Sequence, residues 1–436
     1  MVKAPENQYK KALLASLVGT SSEWFDYLLY GFAAALIFGK LYFPKSDVAA
    51  GLMLSYLTFA LPFFIRPFGG IIFAHLGDKV GRRKTLIVTL SLLGGATFLI
   101  GLLPSYEQWG VWAPCCLIFL RIAQGLGIGG EWGGAILMAT ENSDRKSLGF
   151  AGSVPQMGVP IGMLLGTSAL SIVARMTSEA QFLDWGWRIP FVGSVLLTAI
   201  GLTIRFSINE TPVFAEAKKA GNIAKVPLFE VLKYQWREVI IAVGLKVVET
   251  APFYIMGTFV LTYVTVSLKM PREDALSAIT WATIACIGMI PVVGQIANRV
   301  SRKKIYAFGA ILMGLYAFPY FWMLNTKSPF MIAVASVLGM GILWTPITAV
   351  LGTLYSEIFP AKVRYTGATL GYQIGAACAG GTAPLVATGL MYHYGGSFIP
   401  VAIYFTFTCF VSLVAVLFVN AERSHIVSES SKEALA

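Results

Sequence analysis

The sequence predicts an all-α membrane protein of twelve transmembrane helices arranged as two six-helix halves. Three observations carry that expectation. Of the 436 residues, 56% are hydrophobic and 13% charged, about half the ~25% charged share of an ordinary soluble chain. The apolar residues fall in long blocks rather than in short core-sized runs. One long polar segment divides those blocks six and six.

A membrane-crossing helix needs about 20 mainly apolar residues. Such stretches run near 12–39, 49–76, 84–103, 110–139, 148–173 and 189–208, and again near 239–267, 275–298, 305–324, 330–355, 367–391 and 398–420. The expected organisation is therefore an N-terminal half over 1–208, a linker over 209–238, a C-terminal half over 239–420 and a tail over 421–436. Lys10 and Lys11 precede the first apolar stretch as they would in a secretory signal. That stretch carries Glu23 and Asp26 and has no small-residue cleavage site, so it is read as a retained first span.

Lysine and arginine set the orientation. With the N-terminus inside, the inner segments hold 22 of these residues and the outer loops 7. This is the positive-inside bias, and it places both termini in the cytoplasm. The net charge of +11 is thereby a topology signal and not a nucleic-acid footprint. Cys115, Cys116, Cys286, Cys378 and Cys409 all lie in apolar segments without metal-ligand spacing, so neither a metal site nor a disulfide framework is expected. No cofactor is implied. No H-E-x-x-H, nucleophile elbow or paired histidine occurs, which argues against a membrane enzyme.

An internal repeat joins the halves. The loop after span 2 reads G-D-K-V-G-R-R-K (Gly77 to Lys84), and the loop after span 8 reads A-N-R-V-S-R-K-K (Ala297 to Lys304). Two six-helix halves with a site between them is the parallel-repeat plan of the major facilitator fold.

Ionisable groups inside a span cost several kcal/mol unless they face a cavity or a partner, so each is a functional candidate. Glu23 and Asp26 share one face of span 1, three residues apart. Asp26 lies about 20 Å from the inner end of its span, and Arg121 about 16 Å from the outer end of span 4, both near mid-membrane. A carboxylate facing an arginine at that depth pairs when ionised and releases when protonated. The pair either couples proton binding to helix movement or is a static packing contact. Arg66 sits in P-F-F-I-R-P-F-G-G, where Pro67 kinks the helix. It suits a bidentate contact with a substrate carboxylate, or a gate bonded to neighbouring carbonyls. Glu131, inside G-I-G-G-E-W-G-G, is a second proton site or a local backbone cap.

Gly125, Gly129 and Gly133, and likewise Gly158, Gly162 and Gly166, repeat every four residues as close-packing faces between membrane helices. Glu249 lies three residues after Lys246 and within reach of it, while Lys246 and Arg205 can snorkel to the inner surface. Trp185 and Trp187 read as interfacial anchors. Trp24 either stacks on a substrate or packs between helices. Tyr30, Gln156, Tyr372 and Gln373 are further expected substrate contacts inside spans 1, 5 and 11, with Glu249 in span 7.

Several motifs together resemble a known family. They are E-W-F-D-Y-L-L-Y-G (Glu23 to Gly31), R-P-x-G-G in span 2, the G-D-x-x-G-R-R loop, R-x-x-Q-G-x-x-x-G-G-E-W-G-G (Arg121 to Gly134), W-G-W-R-I-P-F (Trp185 to Phe191) and E-I-F-P-A-K-V-R-Y-T-G (Glu357 to Gly367). This set resembles the metabolite:proton symporter family of the major facilitator superfamily. The resemblance implies a carrier of shikimate, oxoglutarate, citrate, other dicarboxylates, or proline and betaine, with protons. K-V-V-E-T-A-P-F-Y-I in span 7 and the M-P-R-E loop (Met270 to Glu273) look most similar to shikimate transporters. By resemblance, Asp26 and Arg121 match a proton-coupling pair. Asp78 and Arg82, with Gly77, Gly81 and Arg83, match a gating loop that latches the cytoplasmic side. Asn298 and Ser301 depart from that loop, so the second-half latch is expected to be weaker or charge-independent.

The expectation is a secondary active transporter and not an enzyme. It imports a small organic acid with protons by alternating access, as a monomer in the bacterial inner membrane, with no nucleic-acid partner. The alternative is a proton-coupled proline or betaine carrier for osmotic stress. Such carriers can have a long coiled-coil tail, whereas sixteen residues follow Asn420 here.

Overall fold

The computed structural model describes residues 6–44, 47–80, 82–129, 136, 139, 147–207, 228–359 and 364–419. Among them, nine helices are long and apolar enough to cross a membrane: α1 (Tyr9–Tyr42), α2 (Val48–Phe73), α5 (Leu148–Met176), α7 (Trp236–Ser267), α8 (Arg272–Ile296), α9 (Arg302–Asn325), α10 (Pro329–Tyr355), α11 (Thr366–His393) and α12 (Ile399–Leu417). Two shorter apolar helices, α3 (Ile87–Leu102) and α4 (Trp112–Ile128), fill the third and fourth positions. The sixth position is a bent pair, Glu179–Gly186 followed at 44° by α6 (Arg188–Ile204). The eleven apolar helices and α6 each overlap one of the twelve apolar stretches seen in the sequence, while Glu179–Gly186 precedes its stretch and Leu228–Tyr234 lies in the linker.

The bend corrects one expectation. Trp187 sits at the break and turns inward, fully buried. Its ring meets Phe38 at 5.4 Å and Phe191 at 5.6 Å, and Arg188 lies over it at 4.5 Å. It is a packing residue and not an interfacial anchor, whereas Trp185 remains 46% exposed.

In lipid there is little hydrophobic force between helices, so close contact depends on small residues. The two glycine faces behave accordingly where they are described. A Cβ at Gly125 would sit 2.8 Å from Pro62 Cα, so α4 lies directly on α2. A Cβ at Gly162 would sit 2.6 Å from Phe25 N and 2.7 Å from Ser21 O, so α5 lies on α1. Gly133 lies outside the described residues.

Helices α2 and α5 meet α8, α10 and α11 along a seam between the first six and the last six positions. Hydrogen bonds cross the seam at both ends. At the end carrying the 299–304 loop, Gly149 N donates to Asn298 Oδ1 at 2.9 Å, and Gln373 Nε2 donates to Gly129 O at 3.2 Å. At the opposite end, Tyr56 Oη and Thr262 Oγ1 are 2.6 Å apart, and Arg175 donates to Ser277 Oγ at 3.3 Å. Among the described residues, the halves are therefore joined on both sides of the centre.

Single wide turns of π-helix interrupt α1 (Ala34–Phe38), α7 (Ile255–Phe259 and Tyr263–Ser267), α10 (Val337–Leu343) and α11 (Ala377–Gly381). Such bulges gather at functional sites because they re-aim side chains.

The close approach of α5 to α1 gives a stability test. Gly162→Ala should destabilise the purified protein by about 1–3 kcal/mol, the usual cost of overpacking. Gly193→Ala and Gly288→Ala, where nothing lies within 4 Å of an added Cβ, should leave the melting temperature unchanged or slightly higher. Thermal unfolding in detergent reads all three, and an unperturbed Gly162→Ala would contradict the packing described.

Candidate functional site

The centre of the bundle is organised by a proline. Pro62 sits inside α2 and has no N–H to give to Thr58 O, four residues back. A carbonyl left open in the membrane interior must find another donor. Arg121 of α4 supplies it. The guanidinium is fully buried, its Nε donating to Thr58 O at 3.0 Å and one Nη to Phe59 O at 2.9 Å. The other Nη donates to Gln124 Oε1, 2.6 Å away. The guanidinium also lies 3.7 Å from the centroid of the Tyr30 ring, whose hydroxyl donates to Thr58 Oγ1 at 2.7 Å. Sequence reasoning placed the effect of a proline kink at Pro67 and Arg66. In the structure α2 runs through both prolines without a break, and the carbonyl that is used lies upstream of Pro62.

Asp26 is 2% exposed on α1. Among the described residues no ion pair joins it to Arg121, which donates instead to two carbonyls and an amide. The direct contact expected from the sequence is not formed there, and Asp26 Oδ1 is buried without a hydrogen-bond partner. Gln124 Nε2 donates to Thr97 Oγ1 at 2.8 Å, while Gln124 Oε1 holds Arg121. Thr97 and Gln124 were missed in the sequence. The available signal was Gln124, one helical turn after Arg121 in R-x-x-Q-G. Glu23 is buried on the same face as Asp26, one turn away.

Arg66 is 2% exposed, with its guanidinium carbon 4.5 Å from the centroid of Tyr27 and 4.4 Å from that of Phe63. Its Nε has no hydrogen-bond partner, and no ion pair or hydrogen bond to it occurs among the described residues. Around it lies an aromatic cluster that spans the seam. Tyr27 meets Phe63 at 5.2 Å, Phe63 meets Tyr254 of α7 at 5.6 Å, and Trp24 meets Phe253 at 6.1 Å. Phe253 in turn stacks on Trp344 of α10 at 4.9 Å. Trp24 is thus packed edge-on between the halves. The Tyr254 hydroxyl is buried without a partner. Sequence reasoning missed Tyr27, Phe63, Tyr254, Phe253 and Trp344, because aromatic residues are too common in spans to stand out singly.

A second polar cluster belongs to α7. Lys246 is 1% exposed and forms an ion pair with Glu249, its Nζ also lying 3.7 Å from the Tyr372 ring centroid. Lys246 therefore does not snorkel. It lies ten residues into α7, against the backbone of α11 at Gly375. The local pair with Glu249 is the one expected from the spacing. Thr250 donates to Glu249 Oε2 at 3.0 Å, and Thr348 of α10 to Glu249 Oε1 at 3.4 Å. Gln156 of α5 donates to Thr348 O at 3.1 Å across the seam. Gln373 Oε1 is buried without a partner.

The structure thus brings together Trp24, Asp26, Tyr30, Arg66, Arg121 and Gln156 on one side of the seam, and Glu249 and Tyr372 across it. Glu131 and Gly81 lie outside the described residues, as do the side chains of Asp78, Arg82, Arg83 and Arg205. Among the described residues, the centre carries one paired cation (Lys246), one cation bonded to neutral groups (Arg121) and one held on ring faces (Arg66). That arrangement can take up an anion.

A family model described as Major Facilitator Superfamily matches residues 16–371. A shikimate transporter of Escherichia coli (strain K12) is 36% identical over 95% of this chain and 95% of its own. An inner membrane metabolite transport protein of the same organism is 36% identical over 96% of both. A proline/betaine transporter, again of Escherichia coli (strain K12), is 32% identical over 88% of this chain and 78% of its own length. Among solved structures, a xylose transporter of E. coli in a partially occluded inward-open conformation superposes with a TM-score of 0.74 at 17% identity, covering 95% of this chain and 97% of that one. The fold, the twelve helix positions and these relatives agree, and the chain belongs to the Major Facilitator Superfamily as a membrane transporter of the group that holds the shikimate and metabolite transporters.

Proposed function

We propose that this transporter imports a small organic acid together with protons, the anion binding at Arg66 and the proton at Asp26. The observation that carries the reading is Arg66. Among the described residues no anion meets its buried guanidinium, a costly arrangement, and two aromatic faces offset only about 1–2 kcal/mol each. A carboxylate would supply the missing partner, in the bidentate geometry that arginine favours. Arg121, Tyr254 and Gln373 stand on different sides as further contacts. Alternating access follows from the seam, whose hydrogen bonds at either end can open in turn around a central site. We place both termini in the cytoplasm of a bacterial inner membrane, on the lysine and arginine bias. Glu23 and Glu131 are secondary proton candidates, and the Gly77–Arg83 loop is the inner latch by resemblance.

The second reading, a proline or betaine carrier, draws on the relative at 32% identity. Aromatic rings suit a quaternary ammonium. Here, however, the faces of Tyr27 and Phe63 are occupied by the guanidinium of Arg66. A zwitterion would bring a second cation toward the guanidinium of Arg66, which meets no anion among the described residues. The acid reading fits the charge better.

Two measurements test the proposal. A thermal-shift screen of the purified protein against shikimate, mono-, di- and tricarboxylates, proline and betaine should show stabilisation by an acid. Arg66→Ala should weaken its binding roughly ten- to hundredfold, the worth of a charge-assisted hydrogen bond. Stabilisation by betaine or proline alone would favour the second reading. In proteoliposomes, Asp26→Asn should abolish uphill, proton-driven uptake of the acid found in that screen while leaving counterflow exchange. Normal uphill uptake by this variant would remove Asp26 from the role.

A further inference from the structure

We propose that Tyr27 and Phe63 are positioning residues that take the place of the anion on Arg66 when the carrier crosses unloaded. Their role rests on the reading of Arg66 as the anion site, and adds to it how the seam can close over that charge without substrate.

Net uptake requires two kinds of crossing. The acid is carried inward, and the site then returns with nothing on it. On the return, Arg66 passes through a closed seam where neither water nor substrate meets its charge, and a lone guanidinium at that depth is costly. Carboxylates of the chain do not relieve it. Glu249 is paired with Lys246, and among the described residues no ion pair is made by Arg66. The ring faces are placed to do so, with the guanidinium carbon 4.5 Å from the centroid of Tyr27 and 4.4 Å from that of Phe63. A cation–π contact strengthens when water is excluded, so this support is greatest in the closed arrangement that needs it.

The seam itself holds Phe63 in place. The ring is fully buried and lies against bare backbone of α11, across the seam from its own helix. A Cβ at Gly381 would run into it, and one at Gly380 would lie 3.3 Å away. Both glycines belong to the wide turn Ala377–Gly381. Tyr254 of α7 meets the ring edge-on at 5.6 Å, so two helices of the other half confine it. Tyr27 is fixed from its own side, its hydroxyl donating to Phe59 O at 3.1 Å. When the halves part, α11 and α7 leave Phe63, and entering water takes over the charge of Arg66. The rings therefore meet that charge where water does not. The Tyr27 centroid also lies 5.1 Å from the guanidinium carbon of Arg121, whereas Phe63 faces Arg66 alone among the described cations. Phe63 is thus the cleaner position to change.

The first test needs no substrate. Pulsed electron paramagnetic resonance of the full-length protein in nanodiscs reads distances between spin labels on the two halves, one pair spanning each end of the seam. Phe63→Leu should raise the open-to-closed ratio about tenfold, the worth of one desolvated ring contact. In an Arg66→Leu background the same change should leave the ratio where Arg66→Leu alone puts it, because no charge remains to be supported. Trifluorophenylalanine at position 63 keeps the shape of the ring and depletes its face. It should open the seam in the same sense, and it serves also if Phe63→Leu does not fold. A seam that stays closed with the fluorinated ring, or equal behaviour of Phe63→Leu with and without Arg66, means that the ring only packs and overturns the inference. Shikimate, lactate, succinate and citrate are then added in turn to the opened variant, where the anion that binds Arg66 should close the seam again. Closure by none of them, with the dependence on Arg66 intact, overturns Arg66 as the anion site and leaves the support by the rings standing.

Discussion

The contact between Arg121 and the carbonyls of Thr58 and Phe59 sets the arrangement of the whole centre. It exists because a proline in a membrane helix leaves a carbonyl that neither water nor lipid can satisfy. A neutral donor would answer that need with one bond. A guanidinium answers it with several, and so brings a fixed charge to mid-membrane as the partner of an open backbone. Gln124 takes the donor that the carbonyls leave, and Tyr30 covers the ring-facing side. Arg121 thereby remains charged and compensated without spending an acid. Asp26 is left free of a direct cation, which is the condition for a group that must gain and lose a proton.

That geometry requires α4 to lie closer to α2 than ordinary side chains permit. Gly125 meets Pro62 and Gly129 meets the backbone at Arg66, so glycines on one helix face the very residues that carry the polar centre. Close packing and polar chemistry are thus one constraint. On the other side of α1, the glycines of α5 do the same for the stretch that holds Glu23 and Asp26. The aromatic cluster from Tyr27 to Trp344 then fills the seam with flat, apolar surfaces that can slide, where interlocking aliphatic side chains would hold the halves fast.

Much of this was legible in the sequence, and the limits have physical causes. Helix positions follow from hydropathy over about 20 residues, a signal long enough to survive local exceptions. The depth of Asp26 and Arg121 follows from the rise per residue, and the Lys246–Glu249 pair from helical spacing. What could not be read was the identity of partners on other helices. A carboxylate and an arginine at matched depth suggested a direct pair, but Arg121 was claimed by α2 carbonyls that only the fold places beside it. Trp187 looked interfacial because the 44° bend that turns it inward lies between Gly186 and Arg188, and its direction is set by packing against Phe38 and Phe191. Lys246 looked able to snorkel because its distance from the helix end was known and the bulk of α11 around it was not.

The two polar clusters each turn on a glutamine and differ in reach. Gln124 of α4 holds both Arg121 and Thr97 of α3, within one group of six helices. For Glu249 the glutamine is Gln156 of α5, on the far side of the seam, and its stronger bond is to the backbone of α10. The first set of bonds therefore ties helices within one half, and any loosening at the second is felt between the halves. Lys246 is the counter-ion of Glu249 there, so the bond across the seam can open without leaving that carboxylate unpaired.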